Sequence, residues 1–501
     1  MSVSPQYEEY AASACVRGLR AQSIVECRLA DWAENHVLAV WPRVVPSSAE
    51  VLSGEVRYGG TLYFSLAART PDGSVVGAER GAEFTHRAEC ADAAPAQQAA
   101  LSLAVEKVEL RRDGRTLVLS AIVSAEISRL VPGQLRLLTG GEGVACDLVP
   151  VRLSRAAFCA GTAEIEEEFD TDYVGDVLLH SEQVCLTRVV AADGLVEVSG
   201  EIAVGVLSKR EGESDVVAYE RTVPFRAEIP CDEAAPGAAC DASAALSSVR
   251  LSAACDEDKN RCRLLAELSL AVNVRLWRGE EVLAAQDAFC PGRACTLHRE
   301  TVRAQEPLCA FTVSERVAGT AALDGPVGPA AALQAASLCR VEAAAEVREG
   351  EVIVEGVLSA TVFFKEENAA QSVRASLPFT FPVRCDRARA GDAAEVHALA
   401  CGVSCRGRRE GELDCEGTVK LFIALRGESE QRFVCAVEAG EASPLPAAVS
   451  IHFPAAGDTL WDTAKKLGRA PEDVRRENPD LTFPLTGKER IVVYSPRPLG
   501  A

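Results

Sequence analysis

Residues that could carry acid–base or metal chemistry are sparse in this chain of 501 residues. Its six histidines are His36, His86, His180, His298, His397 and His452. They stand in unrelated contexts, and the sequence contains no His-Glu-x-x-His zinc motif, Gly-x-Ser-x-Gly elbow, Walker loop or Gly-x-Gly-x-x-Gly. The acidic run Glu164–Glu168 has no base or metal ligand beside it, so a solvated face is its simpler interpretation. The sequence therefore predicts no enzyme, no metal site and no cofactor.

The 19 cysteines are unusual in number, and an odd number cannot pair completely within one chain. Their spacings are irregular, as in Cys255 to Cys262 or Cys401 to Cys405, and no Cys-x-x-Cys occurs. The usual zinc and thioredoxin signatures are therefore missing. Free cysteines that serve as small apolar residues in strands are the favoured interpretation. A disulfide or metal framework is the alternative.

The charge balance narrows the range of partners. Lys and Arg number 52 against 73 Asp and Glu, a net charge of −21, which disfavours nucleic acid and anionic membranes. The N-terminus has acidic residues where a signal peptide needs basic ones, and no apolar run approaches the ~18 residues of a spanning helix. We expect a soluble cytoplasmic protein without membrane insertion. At roughly 150 residues per domain, the length suggests about three domains.

A repeat runs through the first 440 or so residues. Three segments show a strand glycine, then a phenylalanine, then a cysteine six residues after it. The aligned sets are Gly54, Phe84 and Cys90; Gly200, Phe225 and Cys231; and Gly356, Phe379 and Cys385. This common order indicates a triplicated unit. We expect the three cysteines to occupy equivalent, buried and reduced positions at strand ends.

The repeated unit is predicted to be β. Apolar residues alternate over 196–206 and 352–364, the period of a strand with one buried face. The turn signals Asp193-Gly194 and Glu349-Gly350 precede these strands and favour hairpins. The glycine inside each strand suggests a bulge or a close backbone approach. Before residue 455, the helical period is met only in a short stretch near Glu8–Leu19.

From Val449 onward the pattern changes to strand, helix, helix, strand. Val449–Phe453 forms the first strand, in which His452 is expected on the exposed face. Thr459 can cap a first helix, with Asp462 three residues on, and Gly468 ends that helix. A second helix is predicted from Pro471 to Asn478, and a return strand over 490–494.

This C-terminal segment resembles a LysM domain. The matching residues are Gly457-Asp458-Thr459-Leu460-Trp461, Ala464, Leu467-Gly468, Val474, Asn478-Pro479, Leu485, Gly487 and Ile491 to Val493. The resemblance implies a shallow groove for N-acetylglucosamine polymers. Its walls would be Gly457, Asp458, Thr459 and Leu460 on one side and Pro479, Asp480 and Leu481 on the other. The family usually has Pro-Gly-Gln where this chain has Thr486-Gly487-Lys488-Glu489.

Two residue types in this segment carry further expectations. Trp461 is expected in the core between helix and sheet, rather than as a platform for sugar stacking. Leu460 and Leu481 are expected to be exposed apolar anchors for a partner.

The repeat resembles the SPOCS domain of endospore-forming Firmicutes. SPOCS repeats followed by one LysM domain resemble the SipL-type spore-coat morphogenetic proteins of clostridia. The resemblance implies a mother-cell cytoplasmic protein at the forespore surface, whose LysM domain engages the coat-basement morphogenetic ATPase. A cell-wall or cortex protein that binds peptidoglycan or chito-oligosaccharide is the alternative.

The expected fold is mainly β, with three repeated SPOCS-like units followed by a small βααβ LysM domain. We place the units at residues 1–160, 161–328 and 329–443 and the LysM domain at 449–495.

Overall fold

The protein is mainly β in a computed structural model that describes residues 3–171, 176–209, 215–256, 261–329, 331–408, 411–443 and 449–494. The two helices within these residues are short and lie near the C-terminus. The short stretch near Glu8–Leu19 that meets the helical period forms no helix, because it belongs to the first strand.

The strands before residue 443 fall into three successive sets. The first set is β1 (Ser4–Leu29), β2 (His36–Leu52), β3 (Glu55–Arg69), β4 (Val75–Glu89), β5 (Gln98–Asp113) and β6 (Thr116–Glu142). The second set is β7 (Ala145–Thr171), β8 (Val177–Ala192), β9 (Leu195–Lys209), β10 (Val216–Pro230), β11 (Ala239–Asp256) and β12 (Arg261–Phe289). The third set is β13 (Arg293–Thr320), the two-residue β14 (Ala322–Leu323), β15 (Ala332–Arg348), β16 (Glu351–Glu366), β17 (Ala369–Arg384), β18 (Ala393–Gly407) and β19 (Leu413–Ala442). We call these sets units 1, 2 and 3.

The three units share one connectivity. In each, a long first strand pairs antiparallel with the long last strand, as β1 with β6, β7 with β12 and β13 with β19. The last strand also pairs with the strand before it. Three of the strands between them form an antiparallel meander, to which the two-residue β14 adds one more strand in unit 3. Because the same pairing occurs three times, the strands support the triplication that the sequence indicates.

The predicted unit limits differ from this strand pairing. The limit at 160/161 lies inside β7, and the limit at 328/329 lies after β13, whose partner β19 is in unit 3. The Gly, Phe and Cys positions mark only the meander. The long first strand carries none of them, so the sequence-based limits assigned much of it to the preceding unit.

A glycine and a phenylalanine face each other across the meander in every unit. The pairs are Gly60 with Phe84, Gly200 with Phe225 and Gly356 with Phe379. A Cβ on Gly200 would lie 2.5 Å from Cε1 of Phe225, so the ring packs directly on the backbone. Gly54, aligned with Gly200 from sequence, instead sits in the preceding turn with φ 80°. Its structural counterparts are the turn glycines Gly194 and Gly350.

The repeat cysteines occupy equivalent turns. The amide of each donates to the carbonyl of its unit's turn glycine, at 2.9–3.0 Å. The predicted burial and reduced state hold only in part. Cys231 is buried and bonded to Cys159, whereas Cys90 and Cys385 are half-buried thiols.

The units pack together through shared cores. One core contains side chains of all three meanders, among them Trp41, Leu179 and Phe363. Another contains side chains of the long strands, including Leu137, Val282 and Phe433. The body that these units form is therefore held by contacts between units as well as within them.

Candidate interaction site

The C-terminal module consists of β20 (Val449–His452), α1 (Leu460–Leu467), α2 (Pro471–Glu477) and β21 (Ile491–Tyr494). β20 and β21 form a two-stranded antiparallel sheet. Thr459 caps α1 in a capping box with Asp462, and Gly468 ends the helix with φ 61°. These local predictions are confirmed, because caps and stops depend on neighbouring residues alone.

The module's small core continues into the body. Ala464, Val474 and Ile491 pack in the module, and Ala145 and Phe289 from unit 2 join the same cluster. A module of fewer than 50 residues buries limited apolar surface by itself. We infer that contact with the body supplies part of its stability.

Trp461 makes the central contact between module and body. Its ring meets Phe289 edge-on with 5.1 Å between centroids, and its Nε1 donates to Asp287 Oδ2 at 3.1 Å. Lys465 also pairs with Asp287. Burial would raise the pKa of Asp287, but hydrogen bonds from Lys465 and Trp461 outweigh it and lower that pKa. Trp461 thus packs against the core, as predicted, but it does so where the module meets β12.

In the first wall of the predicted groove, Asp458 and Gly457 are held by hydrogen bonds within the module. The carboxylate of Asp458 accepts from Lys466 Nζ at 2.7 and 2.9 Å and from the Ala455 amide at 2.9 Å. These bonds lower the pKa of Asp458. Gly457 donates its amide to the Leu485 carbonyl at 2.7 Å. Gly457 and Thr459 remain solvent-facing.

The two leucines of the predicted groove, Leu460 and Leu481, are not exposed as expected. Leu460 and Leu481 come together, but both are half-buried and pack against the module's core. They are therefore not exposed anchors, because each packs at the edge of the module's core. Pro479 and Asp480 are exposed.

An apolar surface missed by the sequence reasoning lies on the outer face of the small sheet. Its residues are Val449, Ile451, Phe453 and Tyr494, exposed by 54%, 56%, 69% and 52%. Val449 is directly opposite Tyr494 and Ile451 is two residues further along β20, so these three side chains share one face, and Phe453 follows directly after the end of β20. We call this set the outer apolar face. An exposed His452, as predicted, would put the alternating Val449, Ile451 and Phe453 on the buried face, which is the reverse of what the structure has.

His452 was accordingly placed on the wrong side. It is half-buried, and its Nε2 lies in the interior without a hydrogen-bond partner among the described residues. The helices cover the face that carries His452, Ile491 and Val493, and they leave the other face open.

Three buried charges of the body, Asp241, Arg275 and Arg426, belong to an ion network that joins the units. Asp241 in β11 accepts from Arg426 Nε at 2.8 Å and pairs with Arg275, while Arg17 lies 2.9 Å from Glu395. Burial would raise the pKa of Glu395, but His397 and the nearby arginines hold it well below its usual range. Each acid therefore faces positive partners.

A second charged group joins the meanders of units 1 and 2. His180 bonds to Glu182, and its Nε2 lies 3.6 Å from Glu79 of unit 1. Burial would lower the pKa of His180, but the hydrogen bonds to Glu182 and Glu79 outweigh it and raise that pKa to about 9. A histidine that stays charged at neutral pH is a poor general base.

Across the described ranges, no cluster of three or more His, Cys, Asp or Glu side chains could hold a metal ion. None of the helices in the described part of the chain has the length and apolar character to span a membrane. We found no family model, curated protein or solved structure that matches the chain.

Proposed function

We propose that this protein is a non-enzymatic scaffold of endospore coat assembly. Its LysM-like module would recruit the coat-basement morphogenetic ATPase at the forespore surface, in the mother-cell cytoplasm. The support is the order of three repeated β units followed by a βααβ module with the LysM-type residues.

The observation that carries the proposal is the outer apolar face. Val449, Ile451 and Tyr494 are each more than half exposed on one face of the sheet, and the exposed Phe453 follows directly after β20. Contiguous exposed apolar side chains with an aromatic content favour a protein partner. We therefore assign partner capture to this face instead of the predicted groove.

Glycan binding is the second candidate, and the match to the LysM-type residues favours it. Gly457, Thr459, Pro479 and Asp480 are solvent-facing and could contact a polar chain. The module's Trp461, however, is engaged with Phe289 and Asp287, so it does not offer a free ring for sugar stacking.

The test uses the full-length chain on beads and the purified morphogenetic ATPase. Point variants are better than removal of the module, because removal would uncover Phe289 and Ala145 of the body. Ile451→Asp places a charge on the outer apolar face. Ile24→Asp is the matched control, since Ile24 is also a strand isoleucine and is 67% exposed on the body.

We expect capture by the wild type and by Ile24→Asp, and loss of capture by Ile451→Asp. Unchanged circular dichroism and Trp fluorescence would show that the variant is folded. Equal capture by all three chains would reject the outer apolar face, and no capture by the wild type would reject the ATPase as the partner.

A further inference from the structure

Units 2 and 3 place cysteines at the same two positions but differ in whether these are bonded. In unit 2, Cys231 in the turn after the meander is bonded to Cys159 of the long first strand, 72 residues earlier. In unit 3, Cys385 occupies the equivalent turn, and Cys309 of the long first strand is 76 residues earlier. The sulfur atoms of Cys309 and Cys385 are 3.8 Å apart.

The equivalence of the turns is shown by their backbone hydrogen bonds. Cys231 donates to Gly194 and accepts from Ala234, at 3.0 and 2.9 Å. Cys385 donates to Gly350 and accepts from Ala388, both at 3.0 Å. The backbone therefore fixes Cys385 as it fixes Cys231.

Unit 1 provides the contrast. Cys90 lies in the same kind of turn, but its thiol donates to Asp92 Oδ1 at 3.0 Å. Asp92 in turn binds Arg129. The turn cysteine thus contacts a carboxylate in unit 1, forms a disulfide in unit 2 and lies beside a second thiol in unit 3.

We propose that Cys309 and Cys385 are a redox modification site, which closes to a disulfide equivalent to Cys159–Cys231 when a low-molecular-weight disulfide is present. Bond formation brings the sulfurs from 3.8 Å to about 2.05 Å, a movement within reach of side-chain rotation. The site is independent of the function proposed for the module.

The chemistry is thiol–disulfide exchange. The Cys385 thiolate attacks one sulfur of the small disulfide, forms a mixed disulfide and releases one small thiolate. Cys309 then loses its proton and attacks the Cys385 sulfur, which releases the second small thiolate. The two protein thiols lose two electrons and two protons in total, and the small disulfide gains them as two thiols.

Burial, and after it the neighbouring Cys385 thiol, raises the pKa of Cys309 to about 11. Cys309 is therefore mostly protonated at neutral pH, so the second step runs through its small thiolate fraction and closure should become faster as the pH rises.

The test treats the full-length chain with oxidised glutathione, blocks remaining thiols and digests it with trypsin without reduction. We expect a cross-linked species that joins residues 304–316 to residues 385–387. Cys309→Ser and Cys385→Ser should abolish it. Cys435→Ser should retain it, because the Cys435 thiol contacts the His298 carbonyl instead.

The thermal midpoint gives a second readout. Oxidation should raise it by several °C in the wild type and leave it unchanged in Cys309→Ser, since the bond closes a long loop. The proposal is overturned if the wild type yields only glutathione adducts at Cys309 and Cys385, or cross-links of either to other cysteines.

Discussion

The body and the C-terminal module use their surfaces differently. In the body, charged side chains at the contacts between units are paired, as Asp241 is with Arg275 and Arg426. In the module, the outer face of the sheet presents apolar side chains to solvent, with Phe453 69% exposed. The buried charges of the body are thus explained by partners within the body, whereas the packing of the module does not explain its exposed apolar side chains.

This difference shows where function should be sought. A cluster of buried charges can be an active site, but here the ion pairs within the cluster explain why the charges are buried. An exposed apolar face has no internal explanation and indicates an external partner. Four predictions test this division, in order of expected effect.

Asp241→Ala should cause the largest loss of stability. It removes the negative charge that pairs with the buried Arg275 and Arg426, and the loss of one partner from a buried ion pair typically costs about 3–5 kcal/mol. Urea unfolding measures this change. Glu26→Ala is the control, because Glu26 pairs with Arg111 at 3.3 Å on the surface and should cost less than about 1 kcal/mol. Similar costs for the two variants would show that the ion network does not hold the units together.

The His180 group should make stability depend on pH. Its pKa is about 9 in the folded protein and about 6.5 in the unfolded chain. Because the folded value is higher, the stabilisation is complete below pH 6.5 and is lost as pH rises through 9. We expect a decline on the order of 3 kcal/mol, measured by urea unfolding at several pH values.

His180→Gln should flatten this decline. His298→Gln is the control, since His298 is a half-exposed partner of Glu438. A wild-type stability that is constant between pH 6.5 and 9 would contradict the assignment.

Trp461→Ala should loosen the module from the body. The side chain is only half-buried, so we expect about 2 kcal/mol, below the range for a fully buried tryptophan. Hydrogen exchange of residues 285–289 in β12 measures the loosening. Trp461→Phe should retain most of the contact with Phe289 and lose only the bond to Asp287. Unchanged exchange in Trp461→Ala would mean that the module is attached by other contacts.

Low pH offers a check on the same contact. The pKa of Asp287 is lowered in the folded protein, so its contribution is present above the unfolded value near 4 and is lost as pH falls through the folded value. The protection of residues 285–289, taken relative to the intrinsic exchange rate at each pH, should therefore fall in acid, and Asp287→Asn should remove that dependence.

Thr459→Ala should have the smallest effect. It removes the hydroxyl that caps α1 and should cost about 1 kcal/mol. The thermal midpoint of the full chain reports this change. Thr486→Ala serves as the comparison, because Thr486 also bonds an acid in the module, Glu489, but caps no helix. An equal or larger loss in Thr486→Ala would show that the cap is not the source of stability.

The sequence predicted features that depend on near neighbours. The cap at Thr459, the stop at Gly468 and the start at Pro471 all follow from residues within one helical turn. Likewise, the Phe and Cys positions correctly marked the end of each meander. Features that depend on distant pairing were not predictable in this way, such as the partnership of β1 with β6 across the whole of unit 1.

The candidate site shows the same limit. Alternation identified β20 as a two-faced strand, but it could not say which face the helices cover. The prediction that His452 is exposed is therefore wrong, and Ile451 is the exposed residue instead. The position of Trp461 required knowledge of Asp287 and Phe289, which are more than 170 residues away in the sequence.

The most direct test of the proposed function is a pair of calorimetric titrations of the full-length chain. One uses the purified morphogenetic ATPase, and the other uses a chito-oligosaccharide. Each is repeated with Ile451→Asp and with Asp480→Arg. We predict that the wild type and Asp480→Arg bind the ATPase, that Ile451→Asp does not, and that the sugar gives no binding heat. Micromolar binding of the sugar that Asp480→Arg weakens, without any binding of the ATPase, would contradict the scaffold and favour the glycan-binding alternative.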